Sequence, residues 1–384
     1  MVHRVSRVLV MLLAGAAMSA APASTTPGDS NPLTVHEWGT FTSIAGADGA
    51  AVEWTPLAGP SDLPCFVERS RFNLKGALSG TVRMETPVLY FYAARETTVS
   101  VSVRFRDGVI TEWFPPAANP PDYHGLVPGS ESAIAWRNIK VSPGAPELFP
   151  TEQSASHYYA ARRTDAAPLH AGSVSEKFLF YRGVGRFALP IAATVDAGGN
   201  VAVRNLVGQR AGDIILFTNH DGRMTYEVRR ADEGPVVVDP PVTDVEPAFE
   251  LERMLLATGL YQAEATAMID TWRDSWFEEG TRLFYVVPRR TIDGILPLSV
   301  SPAPAVIARA FVGRMELLTP ATERAIRDAL LANDLDALRP YARFLHAIGQ
   351  RIVADSGPAD RAQLERRLHD VSAVLMTPER ACAQ

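Results

Sequence analysis

Between residues 97 and 114 apolar and polar positions alternate strictly. Val99, Val101, Val103 and Phe105 interleave with Ser100, Ser102 and Arg104, a period of two that turns one face of a strand inward. Arg106-Asp107-Gly108 then supplies a tight turn, and residues 109–114 are predicted to run back as the second arm of a hairpin. The β-branched and aromatic run ETPVLYFYA (85–93) predicts the neighbouring strand. Two more hairpins are expected, one turning at Asp196–Asn200 and the other at Asn219–Gly222, between DIILF and RMTYEVR. The proline- and glycine-rich stretch 114–129 reads as a long surface loop. Past DPPVTDVEP (239–247), which reads as a linker, the period changes. AFELERMLLATG is helical with Gly259 as its stop, and QAEATAMIDTWRDSWFEEG is a second helix ended by Gly280. TRLFYVVP and ILPLSVSP read as strands, and PAVIARAFVGRMELLTP fits either a short helix or a strand. Thr319-Pro320 caps a helix to about Ala332, and further helices are expected at about 335–354 and 358–374.

These elements predict an α+β protein. A β-sandwich-like region over about 30–240, in one or two small sandwiches, precedes a mixed helix and strand region over 245–384 that ends in helices. No period of 20–50 residues repeats, which excludes a solenoid.

Composition adds compartment and excludes partners. At 384 residues with 47% hydrophobic content the chain can bury a sizeable core. The net charge of −6 and the absence of a basic stripe argue against a nucleic-acid partner. Residues 1–23 read as a secretory signal: Arg4 and Arg7, an apolar run from Val8 to Met18 too short to span a bilayer, and Ala21-Pro22-Ala23 as a cleavage site. A periplasmic or secreted protein with no transmembrane segment after cleavage is therefore expected. That compartment permits a disulfide, and Cys65 and Cys382 are the two cysteines; sequence leaves open whether they pair.

Candidate chemistry concentrates in a few places. In LTVHEWGTFTS (33–43) strand alternation puts His36, Trp38, Thr40 and Thr42 on one face and Glu37 on the other. His36 and Trp38 are thus candidates for a ligand surface, or a core indole with a hydrogen-bonded histidine beside it. In TWRDSWFEEGTR, Ile269, Trp272 and Trp276 form one helical stripe; Trp276 is a ligand-binding candidate or a core aromatic. Glu278 and Glu279 sit at a helix C-terminus, where the macrodipole disfavours carboxylates, so Arg273, Arg282 or Arg289 should compensate. Glu278, Glu279 and Glu85, with Glu176, are the carboxylates available for acid/base chemistry. Gly183-x-Gly185-x-x-Ala188 superficially fits a dinucleotide fingerprint, but the chain continues as a strand, so the glycines mark a bend. Arg182 beside them is a candidate anion ligand or a partner for Glu176. His124, His157, His170 and His220 are scattered in loops, and PPDYH and NHDG are the pair best placed to meet at a metal. No motif for a serine nucleophile, zinc protease, P-loop or calcium loop is present. Neither a resident metal nor a cofactor is expected.

VHEWGTFTS, METPVLYFY, SEKFLFYRGVG, DTWRDSWFEEGTRLFYVVPR and VGRMELLTP together resemble segments of a group of exported bacterial proteins of similar length. The resemblance spans most of the chain and implies one coherent exported unit. It carries over no catalytic or binding role. Two functions are expected on the residues alone. The first is a non-catalytic ligand-binding or envelope-associated protein taking a small molecule, glycan or peptide. The alternative is a secreted hydrolase, acting on glycans, with Glu278 or Glu279 as acid/base.

Overall fold

The strand β1 (Thr34–Ile44) sets the frame, because both of its faces are buried. Val35 and Phe41 enter one apolar cluster and Trp38 the other. A strand of that kind belongs inside a sheet covered on both sides. The computed structural model describes residues 32–57, 62–70, 78–121, 125–153, 156–208, 211–231, 236–238 and 247–375. The expected signal segment 1–23, His124 and Cys382 lie outside them.

After β1 come β2 (Glu68–Arg69), β3 (Val82–Tyr92), β4 (Thr97–Arg106), β5 (Gly108–Phe114), β6 (Glu131–Val141), β7 (Leu169–Ala171), β8 (Val174–Glu176) and β9 (Leu179–Gly185). Then follow β10 (Ile191–Val195), β11 (Val201–Asn205), β12 (Asp213–His220), β13 (Arg223–Arg230), β14 (Val236–Val238), β15 (Gly280–Val286), β16 (Leu298–Ser301) and β17 (Val306–Leu317). The helices are α1 (Ala248–Leu256), α2 (Gln262–Trp276), α3 (Arg289–Ile295), α4 (Pro320–Ala332), α5 (Leu335–Leu338), α6 (Leu345–Asp355) and α7 (Pro358–Leu375). The fold is α+β, with its N-terminal portion rich in strands.

A nine-stranded sheet of order β13-β12-β15-β17-β1-β3-β9-β5-β2 forms the centre. Within it β1 and β17 run parallel, and its other pairs are antiparallel. One face packs on a five-stranded sheet, β16-β4-β6-β7-β8. There Val99, Val101, Val103 and Phe105 meet Val35, Phe41, Met84 and Leu89 in one cluster. On the opposite face Trp38, Val88, Tyr90, Phe217 and Phe284 pack with Leu251 of α1 and with Met268, Trp272 and Trp276 of α2. A third core lies among α4, α6 and α7, through Ile326, Leu330, Ile348, Ile352 and Leu368, and reaches Ile44 of β1.

Several local expectations change. The turn at Arg106-Asp107-Gly108 is not a hairpin: β4 belongs to the five-stranded sheet and β5 to the central one. Asp107 takes φ 51°, and a Cβ on Gly108 would fall 2.5 Å from the Phe105 ring, so this corner folds the chain tightly from layer to layer. ETPVLYFYA likewise pairs with β1 and β9 and faces β4 across the core rather than beside it. The ambiguous PAVIARAF run is the strand β17, buried on both faces from Ala308 onward. The helix expected over 335–354 breaks into α5, a 310 turn at Arg339–Tyr341 and α6, where Pro340 has no amide hydrogen to continue the ladder. Residues 32–384 form one compact unit, and β15 and β17 join the sheet built by residues 34–230. The linker expected over 239–247 lies outside the described residues up to 246. Among the described residues no helix is long and apolar enough to cross a membrane.

Candidate functional site

The opening motif is resolved by partners distant in sequence. His36 Nδ1 lies 2.7 Å from Glu264 Oε2 on α2. The same carboxylate accepts the Tyr261 amide at 2.7 Å and the Tyr92 hydroxyl at 2.9 Å. Burial, then the Glu264 charge, push the Tyr92 phenol well above its usual range, so it remains a donor. His36 is flanked by the Tyr92 and Tyr261 rings at 5.3 and 4.5 Å. Glu37 points to the other face, where it accepts from Tyr181 at 2.6 Å and pairs with Arg309. Trp38 and Trp276 are both 0% exposed; Trp38 leans on Tyr90 and Trp276 on Phe284. The expected aromatic ligand surface is corrected accordingly: indoles sealed between sheet and helix present no face to solvent.

The carboxylate candidates are all engaged. Arg282, buried on β15, donates to the carbonyls of Trp276, Glu278 and Glu279 at 2.5–2.9 Å and pairs with Glu316 at 3.0 Å. It is the expected cation at the end of α2, and it satisfies carbonyls that have no intrahelical donor. Arg273 and Arg289 pair instead with Asp270 and Asp293. Glu278 accepts from Arg314 at 2.6 Å. Burial raises its carboxyl above the usual range, against the pull of Arg314 and Arg282. Glu279 accepts from the Asp221 amide at 3.0 Å and lies 3.1 Å from His220 Nδ1. Glu176 pairs with Arg162, not with Arg182. Glu85 accepts from Thr42 at 2.8 Å, lies 3.4 Å from Arg83 and pairs with Arg343.

Glu85 and Arg182 belong to a larger constellation. Register places Arg83 and Arg314 on either side of Thr42, Glu316 opposite Arg282 and Glu112 opposite Arg182. All project from the helix-facing side of the central sheet, beyond the apolar patch around Trp38. Arg182 forks onto Asp62 at 2.8–3.1 Å. Burial opposes ionisation of both, but Asp62 and Glu112 hold Arg182 above its ordinary value, and Arg182, His157 and Arg83 hold Asp62 well below its own. Arg83 behaves differently. Burial and the adjacent Arg182 charge bring it down to about 10. Arg343, brought in by the turn before α6, comes down to about 9 through burial and Arg83. It donates to Ser275 Oγ at 2.7 Å, while Arg314 donates to the Ser275 carbonyl at 3.0 Å. Both guanidinium groups lie over the Phe344 ring, at 5.4 and 4.8 Å. Among the described residues Arg83 Nε, Arg182 Nε, Arg343 Nε and both Nε and Nη1 of Arg314 are buried with no hydrogen-bond acceptor.

Two histidines flank this end of the fold. His157 bridges Asp274 at 2.7 Å and Asp62 at 3.7 Å; burial opposes its charge, but the two carboxylates raise it to about 9. His220, Asp221 and Glu279 bring one ligand atom each within 4.8 Å of the others at the exposed β12–β13 tip. His170 is bound to Ser175 on the neighbouring strand. Cys65, beside Asp62's loop, is disulfide-bonded.

Sequence reasoning found Arg182, Glu85 and Glu278 but not Arg83, Arg314 or Arg343. Arg314 carried one signal: a charge inside an apolar strand run needs a partner. No family model matches the chain, and no curated relative is found for it.

Proposed function

We propose that this chain is an exported binding protein for a small anion, held by Arg83, Arg182, Arg314 and Arg343 on the helix-facing side of the central sheet. The observation that carries this reading is the excess of donors. Buried polar atoms normally have partners, and here five guanidinium nitrogens make no hydrogen bond. Among the described residues, Nε of Arg83 and of Arg182 have only a carboxylate at ion-pair distance, 3.4 and 3.7 Å, and Nε of Arg343 and Nε and Nη1 of Arg314 have none. Arg314 shows the excess most clearly: it directs Nη2 at Glu278, Glu316 and the Ser275 carbonyl, while Nε and Nη1 make no hydrogen bond. An anionic oxygen ligand supplies the missing acceptors and relieves the crowding that lowers Arg83 and Arg343. The Arg83 and Arg343 side chains are 12% and 20% exposed, which gives the site a route to solvent.

Titration of the purified protein with phosphate, sulfate, citrate and acidic sugars, followed by calorimetry and by thermal shift, tests this. A member of the panel binds, and Arg343→Gln weakens it by at least about tenfold. Absence of any anion-dependent stabilisation across the panel overturns the reading.

The hydrolase reading rests on Glu278, whose raised carboxyl and 24% exposure suit a general acid at the edge of the same site. On that reading Glu278→Gln abolishes glycan cleavage while leaving anion binding in place. Equal turnover in the variant and the parent removes it.

A further inference from the structure

A cavity lies away from the arginine cluster, near the end of β3. It has a volume of about 330 Å3, and its walls include Tyr92, Pro143, Ala145, Ala167 and Pro168, with Glu147 and the exposed Asp165 at its rim. Two polar groups in it stand out. Lys177 is 4% exposed, and Thr164 is 9% exposed with a hydroxyl that has no hydrogen-bond partner. Both line the cavity. A buried ammonium requires a counter-charge. Among the described residues that charge comes from Glu147, which pairs with Lys177 Nζ while its own side chain is 53% exposed. The pair is therefore asymmetric. The cation is anchored: its backbone amide donates to Glu176 at 2.7 Å, and Glu176 is fixed by Arg162 and Tyr158. Glu147 reaches in from the surface and loses little by returning to water.

We infer that this cavity is a binding site for a small monocarboxylate with an apolar body, whose carboxylate takes the place of Glu147 on Lys177 and accepts from Thr164. One ammonium and one hydroxyl supply a single positive charge and few donors, which match the one charge and two oxygens of a carboxylate and leave much of a phosphate's charge and oxygens unmet. The tyrosine, proline and alanine walls match an alkyl or aryl body, and the volume is within the range of small-molecule sites. The site is separate from the arginine cluster and does not depend on it.

The test uses the full chain carrying Arg343→Gln, so that anion binding at the arginine cluster is weakened, with benzoate and butyrate as probes and phosphate as control, and counts only binding that shifts residues lining this cavity. Calorimetry, together with amide shifts of residues 164–167, reads the binding. The carboxylates bind and phosphate does not. Glu147→Gln tightens benzoate about tenfold, because it removes the internal competitor, whereas Lys177→Met abolishes it. Thr164→Val weakens it several-fold and keeps the fold intact if Lys177→Met proves unstable. A Glu147→Gln chain that binds benzoate no better than its parent overturns the inference, as does equal binding of phosphate. Because the parent chain already lacks Arg343, failure here leaves the arginine-cluster proposal standing.

Discussion

Two buried arginine sites lie on opposite faces of the central sheet, and they differ in what surrounds the charge. On the sheet-facing side Arg309 of β17 pairs with Glu37 of β1, its register neighbour, and with Asp293 of α3; Tyr181 donates to the same glutamate. Burial opposes the charge, but Glu37 and Tyr181 outweigh it, and Arg309 is held above its ordinary value. On the helix-facing side Arg343 has Glu85 and Ser275, yet Arg83 stands beside it, and it titrates at about 9. The same side chain is stabilised as a cation in one place and strained in the other. The first arrangement ties two strands and a helix together. Both contain buried guanidinium nitrogens that make no hydrogen bond, Nη2 of Arg309 in the first and five in the second, but only in the second are two of the side chains partly exposed, Arg83 at 12% and Arg343 at 20%.

The largest effect should come from breaking the first site. Glu37→Gln leaves Arg309 buried without its main counter-charge and is expected to cost about 3–5 kcal/mol, read as a lower guanidinium midpoint at unchanged slope. Arg343→Gln should cost no more than about 1–2 kcal/mol in the same assay, since Glu85 keeps Arg83 and Thr42, while it weakens anion binding by at least about tenfold. Comparable losses in the two variants would erase the distinction between them.

The smallest effect is a pH signature at the edge of the second site. His157 is raised from 6.5 to about 9, so its contribution is fully present below pH 6.5 and is lost as pH rises through about 9. Asp62 and Asp274 are lowered, so theirs is present above pH 4 and is lost on acidification. The wild-type melting temperature should therefore decline from pH 6.5 to 9, and the curve of His157→Gln should stay flat over that interval. Parallel curves would show that the bridge contributes nothing.

How much of this was readable in advance depends on range. Alternation along β1 correctly separated Glu37 from His36 and Trp38, and alternation along β4 identified its inward face. The carboxylates at the end of α2 signalled a compensating cation, and Arg282 is that cation. The sheet assignments of β3, β4 and β5 were not readable, because a two-residue corner looks the same in sequence whether it closes a hairpin or changes layer. The arginine cluster was hidden for a related reason. Arg343 reaches Glu85 across more than 250 positions, and His36 reaches Glu264 across 228. Local periodicity says that such residues need partners, not which ones. Burial of Trp38 and Trp276 follows from α2 covering the sheet, which is also a tertiary fact.

The parallel pairing of β1 with β17 also has a bearing on how the chain acquires its structure. Strand β17 stands between β15 and β1, so the central sheet stays in two pieces, with an open edge on β1, until residues 306–317 have emerged. Contacts that span so much of the chain are slow to form. Until then the unpaired edge of β1 is open to strand-to-strand association with other chains.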